Sequence, residues 1–360
     1  MRLLFFNPWN DLALASNDPH YTPPASARQM AMDLADLPSL WAKEDDLILH
    51  PGEDQSHIRE MSSSQQIYAT PFPWGWSPLA VTCLREAGVL VSDLPTAEQL
   101  EAYRVCSSRQ TAVHLLARLR QSWSDAFLPD GPLIGESTWC QNVDDALAAI
   151  AAYGGTAILK APWSGSGRGV RKIMATHSHS LSNSGVSAVD HSWLCRTLNR
   201  QGGVEVEPFY DKELDFAMEF WVEGGRVGYE GLSIFTTTDS GVYSGNLVAT
   251  EEEKLQRLAR YVHPALLCEL SSRFAQLLST ANLPAWYTGP LGVDMMVVHT
   301  SSFNLHSSFL IHPLVELNFR TTMGWVACQL TRKLKEGETA IFKIDTSGGH
   351  YKAVFEKNEG

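Results

Sequence analysis

Short apolar segments alternate with polar ones through the first quarter of the chain. Apolar runs of three or four residues predict strands, and the longer segment 25–37 predicts a helix between two of them. A strand, a helix and a further strand in succession are typical of a parallel sheet. We therefore expect residues 1–95 to form an open α/β domain. The segments that support this prediction are 3–6, 25–37, 46–49, 67–69, 79–87 and 89–91.

Longer periodic segments follow residue 95. Apolar positions at helical spacing predict helices at 107–121, 144–153 and 322–334, and a long helix at 251–278 that Pro264 interrupts. Between these helices, turn sequences such as Gly224-Gly225 separate apolar runs, which predicts antiparallel strands. The fold class is therefore mixed α/β with α+β lobes, and 360 residues are enough for two or three of them.

One run joins an apolar strand to a glycine-rich loop. Lys160 ends the strand, and Gly165, Gly167 and Gly169 follow it before a second strand at 170–174. Glycines let the backbone approach an anion closely, and a lysine beside them supplies positive charge. The lysine precedes the glycines, so this is not the common P-loop pattern. The sequence predicts a β-hairpin whose tip folds over phosphates, or, alternatively, a flexible surface hairpin.

Two apolar strands near the other end of the chain carry polar side chains. Asp294 interrupts the strand at 289–298, and the strand at 313–320 contains Glu316, Asn318 and Arg320 at alternate positions. Alternate residues of an extended strand point to the same side, so we expect these three side chains to converge. Carboxylate and amide oxygens suit Mg²⁺, which takes its other ligands from substrate phosphates.

The order of these motifs resembles the ATP-grasp superfamily, over about the last three quarters of the chain. Its members carry a strand lysine with a glycine-rich loop, a hinge strand that ends in a glutamate, a strand aspartate and a Glu-x-Asn strand. Here the hinge is at 203–210. The resemblance implies an ATP-grasp module at 96–335 behind an N-terminal α/β domain, with 336–360 as a C-terminal extension.

The resemblance also implies roles for individual residues. Lys160 meets the α- and β-phosphates, and Asp215 binds the ribose, with Glu213 as the open alternative. Arg320 lies beside the transferred phosphoryl group, and Arg109 stands where a second basic residue, usually lysine, is found. The loop over the phosphates comprises Ser164, Gly165, Ser166, Gly167, Arg168 and Gly169; the adenine contacts are near Glu207, Phe209 and Tyr210; and the metal ligands are Asp294, Glu316 and Asn318.

The activity that the resemblance implies is an ATP-dependent carboxylate–amine ligase. A carboxylate attacks the γ-phosphorus of ATP, and an amine captures the acyl phosphate, with Mg²⁺ (Mn²⁺ is also possible) as the metal. The partners are then small-molecule or peptide carboxylates and amines. A kinase of the same fold and a nucleotide-binding regulator without turnover are the alternatives, and the oligomeric state is open.

Composition narrows the other classes of function. The net charge of −12, without a basic stretch, argues against nucleic acid as the main partner. The sequence contains no apolar run of about 18 residues, so we expect no membrane span. The six cysteines lack C-x-x-C spacing, which is typical of reduced thiols in a cytoplasmic protein. Aromatic and proline-rich loops at 7–11 and 71–78 either stiffen the N-terminal domain or line a second-substrate pocket with Asn10, Asp11 and Arg28.

Overall fold

The computed structural model describes residues 1–51, 69–123, 133–165, 169–174, 186–238, 242–281, 283–300 and 308–357. The α-helices in these ranges are α1 Asn10–Ser16, α2 Ala25–Asp33, α3 Pro78–Glu86, α4 Ala97–Cys106, α5 Arg109–Ser122, α6 Val143–Ala152, α7 Ala188–Gln201, α8 Glu251–Leu258, α9 Pro264–Ser279 and α10 Met323–Leu330. The strands are β1 Arg2–Phe5, β2 Leu47–Leu49, β3 Thr70–Pro73, β4 Thr138–Cys140, β5 Thr156–Lys160, β6 Val170–Met174, β7 Val204–Pro208, β8 Lys212–Glu223, β9 Arg226–Thr237, β10 Tyr243–Val248, β11 Gly289–His299, β12 Phe309–Asn318, β13 Ala340–Asp345 and β14 Lys352–Lys357.

The N-terminal part contains a parallel sheet in the order β2-β1-β3. Strand β3 includes Pro71 and Pro73 and lies at an edge, where the missing N–H groups need no partner. A strand was expected at 67–69, of which residues 67 and 68 lie outside the described ranges. In the described part, the strand begins at Thr70. The strand expected at 89–91 was wrong, because Val91–Asp93 forms one turn of 3-10 helix.

A seven-stranded antiparallel sheet forms the centre of the molecule, in the order β12-β11-β8-β9-β10-β13-β14. Alternation along β8 gives the sheet two different faces. The back face carries Phe216, Met218 and Phe220, which belong to the same apolar core as Phe274 of α9. The front face carries polar side chains from β8, β11 and β12, and it is this face that holds the candidate site.

A smaller antiparallel sheet, β4-β7-β5-β6, has an apolar core of its own. Helices α6 and α7 pack on it through Ile150 and Leu194. Strand β5 pairs with β6 in the predicted hairpin, with Lys160 opposite Val170. The hairpin prediction is confirmed, and Lys160 lies at the end of β5 that faces the front of the large sheet.

Several predicted helices and one strand end earlier than expected. Helix α2 stops at Asp33. The segment at 251–278 is interrupted at Pro264, as predicted, and its second helix begins there with the His263 side chain as its N-cap. The last predicted helix ends at Leu330 and continues as a 3-10 turn. Strand β12 ends at Asn318, so Arg320 lies beyond it. The predicted class, mixed α/β with an open parallel sheet at the N-terminus, is confirmed.

Candidate functional site

Lys160 is held in a buried group of charges where the two antiparallel sheets meet. Strand β7 has the sequence Val-Glu-Val-Glu-Pro, so Glu205 and Glu207 share one face, and the register places Lys160 opposite Glu205. The Lys160 Nζ lies 2.8 Å from Glu207 Oε1 and 3.8 Å from Glu205 Oε1, and it donates to the carbonyl of Val315 at 3.1 Å. All three charged side chains are buried.

Arg109 joins the same group from the first turn of α5. Ser108 caps this helix, and the Arg109 backbone N–H donates to the carbonyl of Pro162 at 3.1 Å, which fixes the helix start beside the loop after Lys160. The Arg109 Nη2 donates to Glu316 Oε1 at 2.8 Å. Burial by itself would lower the pKa of Arg109, but Glu316 and Glu205 raise it. We call Lys160, Arg109, Glu205, Glu207 and Glu316 the lysine cluster.

Several polar atoms of this region are buried without a hydrogen-bond partner. They are Arg109 Nε, Glu205 Oε2, Glu207 Oε2 and Ser164 Oγ. Buried polar atoms in native proteins are nearly always paired, so this set fits a polar ligand that binds between the sheets. Burial raises the pKa of Glu207, Lys160 lowers it and Glu205 raises it, with a net shift above the usual glutamate range.

The predicted metal ligands come together on the front face of the large sheet. Asp294 of β11 pairs directly with Glu316 of β12, and Asn318 pairs with Gly292 two residues along. The Asn318 Nδ2 donates to Asp294 Oδ2 at 3.0 Å. Burial, followed by repulsion from Glu316, raises the pKa of Asp294 above its usual range. A divalent cation between the two carboxylates would remove that repulsion.

The donor set is one that fits Mg²⁺ together with a phosphate ligand. Within the described ranges, no group of three or more histidine, cysteine, aspartate or glutamate side chains is placed to hold a metal by itself. Asp294 and Glu316 supply two carboxylates and Asn318 supplies an amide, which leaves coordination positions for phosphate oxygens and water. A cation bound to these three side chains would therefore take its remaining ligands from outside the chain.

Arg320 is bound by a carboxylate of the N-terminal domain. Its Nε and Nη2 donate to Asp11 Oδ1 and Oδ2, each at 3.0 Å. The side chains are 17% and 22% exposed, so this pair is largely buried, unlike a surface salt bridge. We call Asp11 and Arg320 the interlobe pair. Although Arg320 lies beyond the end of β12, it does lie with Glu316 and Asn318 in one pocket.

That pocket joins the N-terminal domain, the start of α5, the loop after β5 and the end of β12. Residues of the predicted metal strand line the pocket together with residues that are far apart in sequence. The lining residues are Asn10, Asp11, Ser107, Arg109, Pro162, Trp163, Ser164, Glu316, Leu317, Asn318, Phe319 and Arg320.

The described part of the glycine-rich loop lies against this pocket. Gly169 has a φ of +79°. Its carbonyl accepts a hydrogen bond from the backbone N–H of Ala161 at 2.8 Å. A Cβ at Gly165 would lie 2.5 Å from Asp11 Oδ2, so only glycine fits there without movement. The predicted loop residues Ser166, Gly167 and Arg168 lie outside the described residues.

The predicted adenine contacts lie near the junction of β7 and β8. Tyr210 is buried, and its hydroxyl accepts from the backbone N–H of Glu136 at 2.9 Å. Phe209 is 45% exposed, with the Lys172 ammonium 3.3 Å from its ring centroid. Phe209 and Tyr210 therefore present an open aromatic face and a buried one at the place where the resemblance puts the nucleobase.

The two ribose candidates have different surroundings. Asp215 pairs in register with Met296 and lies on the same sheet face as Asp294. It forms an ion pair with Lys212 and accepts from Thr237 Oγ1 at 2.8 Å. Glu213 instead lies 2.8 Å from His299 Nε2, next to a register shift of the sheet. The negative charge of Asp215 contributes to the raised pKa of Asp294.

Sequence reasoning missed three buried residues of this region, and two of them carried a signal. Glu205 alternates with Glu207 in an apolar strand, and Glu219 lies within the apolar part of β8, where a carboxylate is costly without partners. Burial and then Asp294 raise the pKa of Glu219 to about 8. His312 has no exposed surface and lies 3.9 Å from Glu207, and burial lowers its pKa to about 3.

The aromatic loops of the N-terminal domain are mainly packing elements. Trp74 and Trp76 are each 7% exposed and belong to two different apolar cores. Asn10 and Asp11 do line the pocket, but Arg28 is exposed on α2 and does not. Of the three side chains expected to orient a second substrate, the structure brings two to the pocket.

Comparisons with known proteins give likenesses of fold at low identity. No protein-family model matches the chain, and no curated protein matches it. Among solved structures, biotin carboxylase from Campylobacter jejuni is 13% identical over 95% of this chain and 75% of that one, with a TM-score of 0.49. N5-carboxyaminoimidazole synthetase from Staphylococcus aureus, complexed with ADP, is 11% identical over 96% and 82%, with a TM-score of 0.45.

A third match is N5-carboxyaminoimidazole ribonucleotide synthetase from Thermus thermophilus, at 15% identity over 95% of this chain and 83% of that one, with a TM-score of 0.42. With TM-scores below 0.5, these matches support no conclusion about what this chain binds. The chain resembles the ATP-grasp superfamily in the order and placement of its own residues, and the function proposed for it rests on those.

Two further observations concern the chain as a whole. Among the described residues, no helix is both long and apolar enough to span a membrane. All six cysteines lie in the described ranges, and none of them forms a disulfide there.

Proposed function

We propose that this protein is an ATP-dependent ligase that joins a carboxylate to an amine and releases ADP and phosphate. The lysine cluster would bind the nucleotide phosphates through Lys160 and Arg109, whose charges are held in place before the ligand arrives. The unpaired Arg109 Nε and Ser164 Oγ support this role, because a bound phosphate would satisfy both.

The metal would be held by Asp294, Glu316 and Asn318. When bound, Mg²⁺ would neutralise negative charge on the phosphates next to Glu316. The part played by this chain is to keep two carboxylates and an amide on one rigid sheet face, so that the phosphoryl group and its acceptor are oriented without further reorganisation.

The observation that favours a ligase over a kinase is the pair of parallel hydrogen bonds that Arg320 donates to Asp11. A guanidinium that already binds a carboxylate through two parallel hydrogen bonds is built for that group, whereas a hydroxyl offers only one oxygen. In the proposed reaction, a substrate carboxylate oxygen attacks the γ-phosphorus as the bond to ADP breaks. The amine nitrogen then attacks the acyl carbon, phosphate leaves, and the nitrogen loses a proton.

Thermal melting with ATP and Mg²⁺, separately and together, tests the nucleotide site first. Ligands that bind the native state raise the transition, so we expect a joint upward shift that is lost in Lys160→Ala. Lys357→Ala, which removes a lysine on the last strand, is the control and should keep the shift. If millimolar Mg-ATP leaves the wild-type transition unchanged, the nucleotide assignment is wrong.

A hydroxylamine assay then separates the ligase from the kinase. Hydroxylamine converts an acyl phosphate to a hydroxamate but leaves a phosphate ester intact. We expect hydroxamate in proportion to ADP when carboxylates are supplied. ADP formed with a stable phosphorylated product, and no hydroxamate, would identify a kinase instead.

A further inference from the structure

We infer that the carboxylate substrate is a zwitterion, an amino acid whose carboxylate is held by Arg320 while its ammonium group is held by Asp11. This inference rests on the proposed ligase function and narrows its substrate class. It starts from the interlobe pair, which connects the N-terminal domain to the end of the metal strand.

Both members of the interlobe pair already have their charges satisfied. Asp11 accepts two hydrogen bonds from Arg320, whose Nη1 also donates to the carbonyl of Thr321 at 3.1 Å. With side-chain exposures of 17% and 22%, neither charge has much contact with solvent. A ligand that uses one partner must therefore leave the other without its counter-ion in a largely buried place.

This requirement selects the charge pattern of the ligand. A simple carboxylate could take Arg320 only by leaving Asp11 unpaired, and a simple amine could take Asp11 only by leaving Arg320 unpaired. Removing one partner of a buried ion pair is strongly unfavourable. A molecule with an ammonium and a carboxylate a few bonds apart inserts between the two groups and pairs with each of them.

Apart from the nucleotide and its metal, the charge balance of the pocket agrees with a neutral second ligand. Four charged side chains line it, and they form two pairs: Arg109 with Glu316, and Arg320 with Asp11. A zwitterion keeps the sum of these charges at zero. A ligand with a single net charge would not.

The position of the pair also suits the reaction. Arg320 follows the metal residue Asn318 by two positions, and Gly165 of the glycine-rich loop approaches Asp11 so closely that a Cβ there would lie 2.5 Å from Asp11 Oδ2. A carboxylate held by Arg320 is therefore next to the proposed phosphate site. Its own ammonium, held by Asp11, keeps its proton, so the attacking amine comes from a second molecule.

The test compares amino acids with partners that lack one charge. Each proteinogenic amino acid is supplied with Mg-ATP and hydroxylamine, in parallel with the matching acid without the amino group and the matching amine without the carboxylate, and ADP release is measured. We expect at least one amino acid to have a kcat/KM at least ten times that of its deamino acid. If wild-type protein uses deamino acids as well as amino acids, the zwitterion inference is wrong and the ligase function stands.

Asp11→Asn keeps the size of the side chain and removes its charge. We expect the KM for the amino acid to rise at least tenfold and the KM for the deamino acid to fall, because binding to Arg320 no longer leaves a buried carboxylate unpaired. Asp11→Glu should restore part of the selectivity. Asp18→Asn, an exposed position in the same domain, is the control. A tenfold preference that survives in Asp11→Asn overturns the role of Asp11.

The nucleotide shift separates the failure of the inference from the failure of the proposed function. Asp11→Asn should keep the melting shift with Mg-ATP, since Lys160 and Arg109 are intact. If Mg-ATP stabilises the wild type but none of the amino acids, deamino acids or amines causes ADP release, the ligase proposal and the zwitterion inference both fall, while the nucleotide site remains.

Discussion

The lysine cluster and the interlobe pair both bury opposite charges, but they are assembled in different ways. Lys160 meets Glu205 and Glu207 across neighbouring strands of one small sheet, within about fifty residues of chain. Asp11 and Arg320 are 309 positions apart and meet only because distant parts of the chain pack together. The part of the cluster around Lys160 is a property of strand register, whereas the second arrangement depends on how distant segments pack. We therefore expect the cluster to govern nucleotide binding and the pair to govern the choice of substrate.

Glu316→Gln should have the largest effect, because Glu316 belongs to the lysine cluster and to the metal set together. The change removes a metal carboxylate and the counter-ion of Arg109. We expect Mg²⁺-dependent ADP release to fall on the order of 1,000-fold, with the fold retained. Steady-state kinetics and circular dichroism measure this. Glu356→Gln, at an exposed site, is the control, and ADP release that persists in Glu316→Gln would contradict the metal assignment.

Lys160→Met should break the lysine cluster and leave the interlobe pair intact. Glu207 then loses its buried counter-ion, which costs about 3 kcal/mol of unfolding free energy. Burial already raises the pKa of Glu207, and loss of the cation raises it further. The stability of the variant should therefore be retained at pH 5, where Glu207 is neutral, and lost as the pH rises through the raised pKa of Glu207. Urea unfolding at pH 5 and pH 8 measures this difference. An equal loss at both values would mean that packing, not charge, explains the effect.

Gly165→Ala should disturb the interlobe pair without removing a charge. The new Cβ would lie 2.5 Å from Asp11 Oδ2, so the carboxylate must move away from Arg320. We expect the kcat/KM for the carboxylate substrate to fall about tenfold while Mg-ATP still stabilises the protein. Gly228→Ala, where the Cβ would have no neighbour within 4 Å, is the matched control. Equal kinetics in the two variants would show that the loop does not bear on the pair.

Glu219→Gln should have the smallest effect on activity, and it examines the sheet face that the two groups share. Its pKa of about 8, raised by burial and Asp294, lies above the usual 4.5, so the stabilising neutral form is complete below pH 4.5 and lost as the pH rises through 8. Gln cannot ionise, so the variant should be more stable than the wild type at pH 9, by up to several kcal/mol at about 1.4 kcal/mol per pKa unit, and no more stable at pH 4.5. Urea unfolding tests this, with exposed Glu223→Gln as the control. A gain that does not depend on pH would contradict the titration.

Local patterns predicted most of the elements and the convergence of Asp294, Glu316 and Asn318. Apolar runs predicted β5, β6 and the strands β8 to β12 of the large sheet, because a period of two depends only on which face is buried. Strands β13 and β14, in the segment expected to be a C-terminal extension, were not predicted. Element ends were less predictable: β12 stops at Asn318, and α2 stops at Asp33, since tertiary contacts decide where a helix or strand ends. The acidic residues Glu205 and Glu219 had a visible signal in their apolar strands.

By itself, the sequence determined the fold class, the hairpin behind Lys160 and the set Asp294, Glu316 and Asn318, since each follows from short-range periodicity and from the chemistry of polar residues in apolar strands. Only the tertiary structure decided that Arg109 pairs with Glu316 and that Asp11 binds Arg320. The physical reason is that ion pairs between distant segments depend on how whole sheets and domains pack. No local pattern of the chain encodes which cation meets which carboxylate.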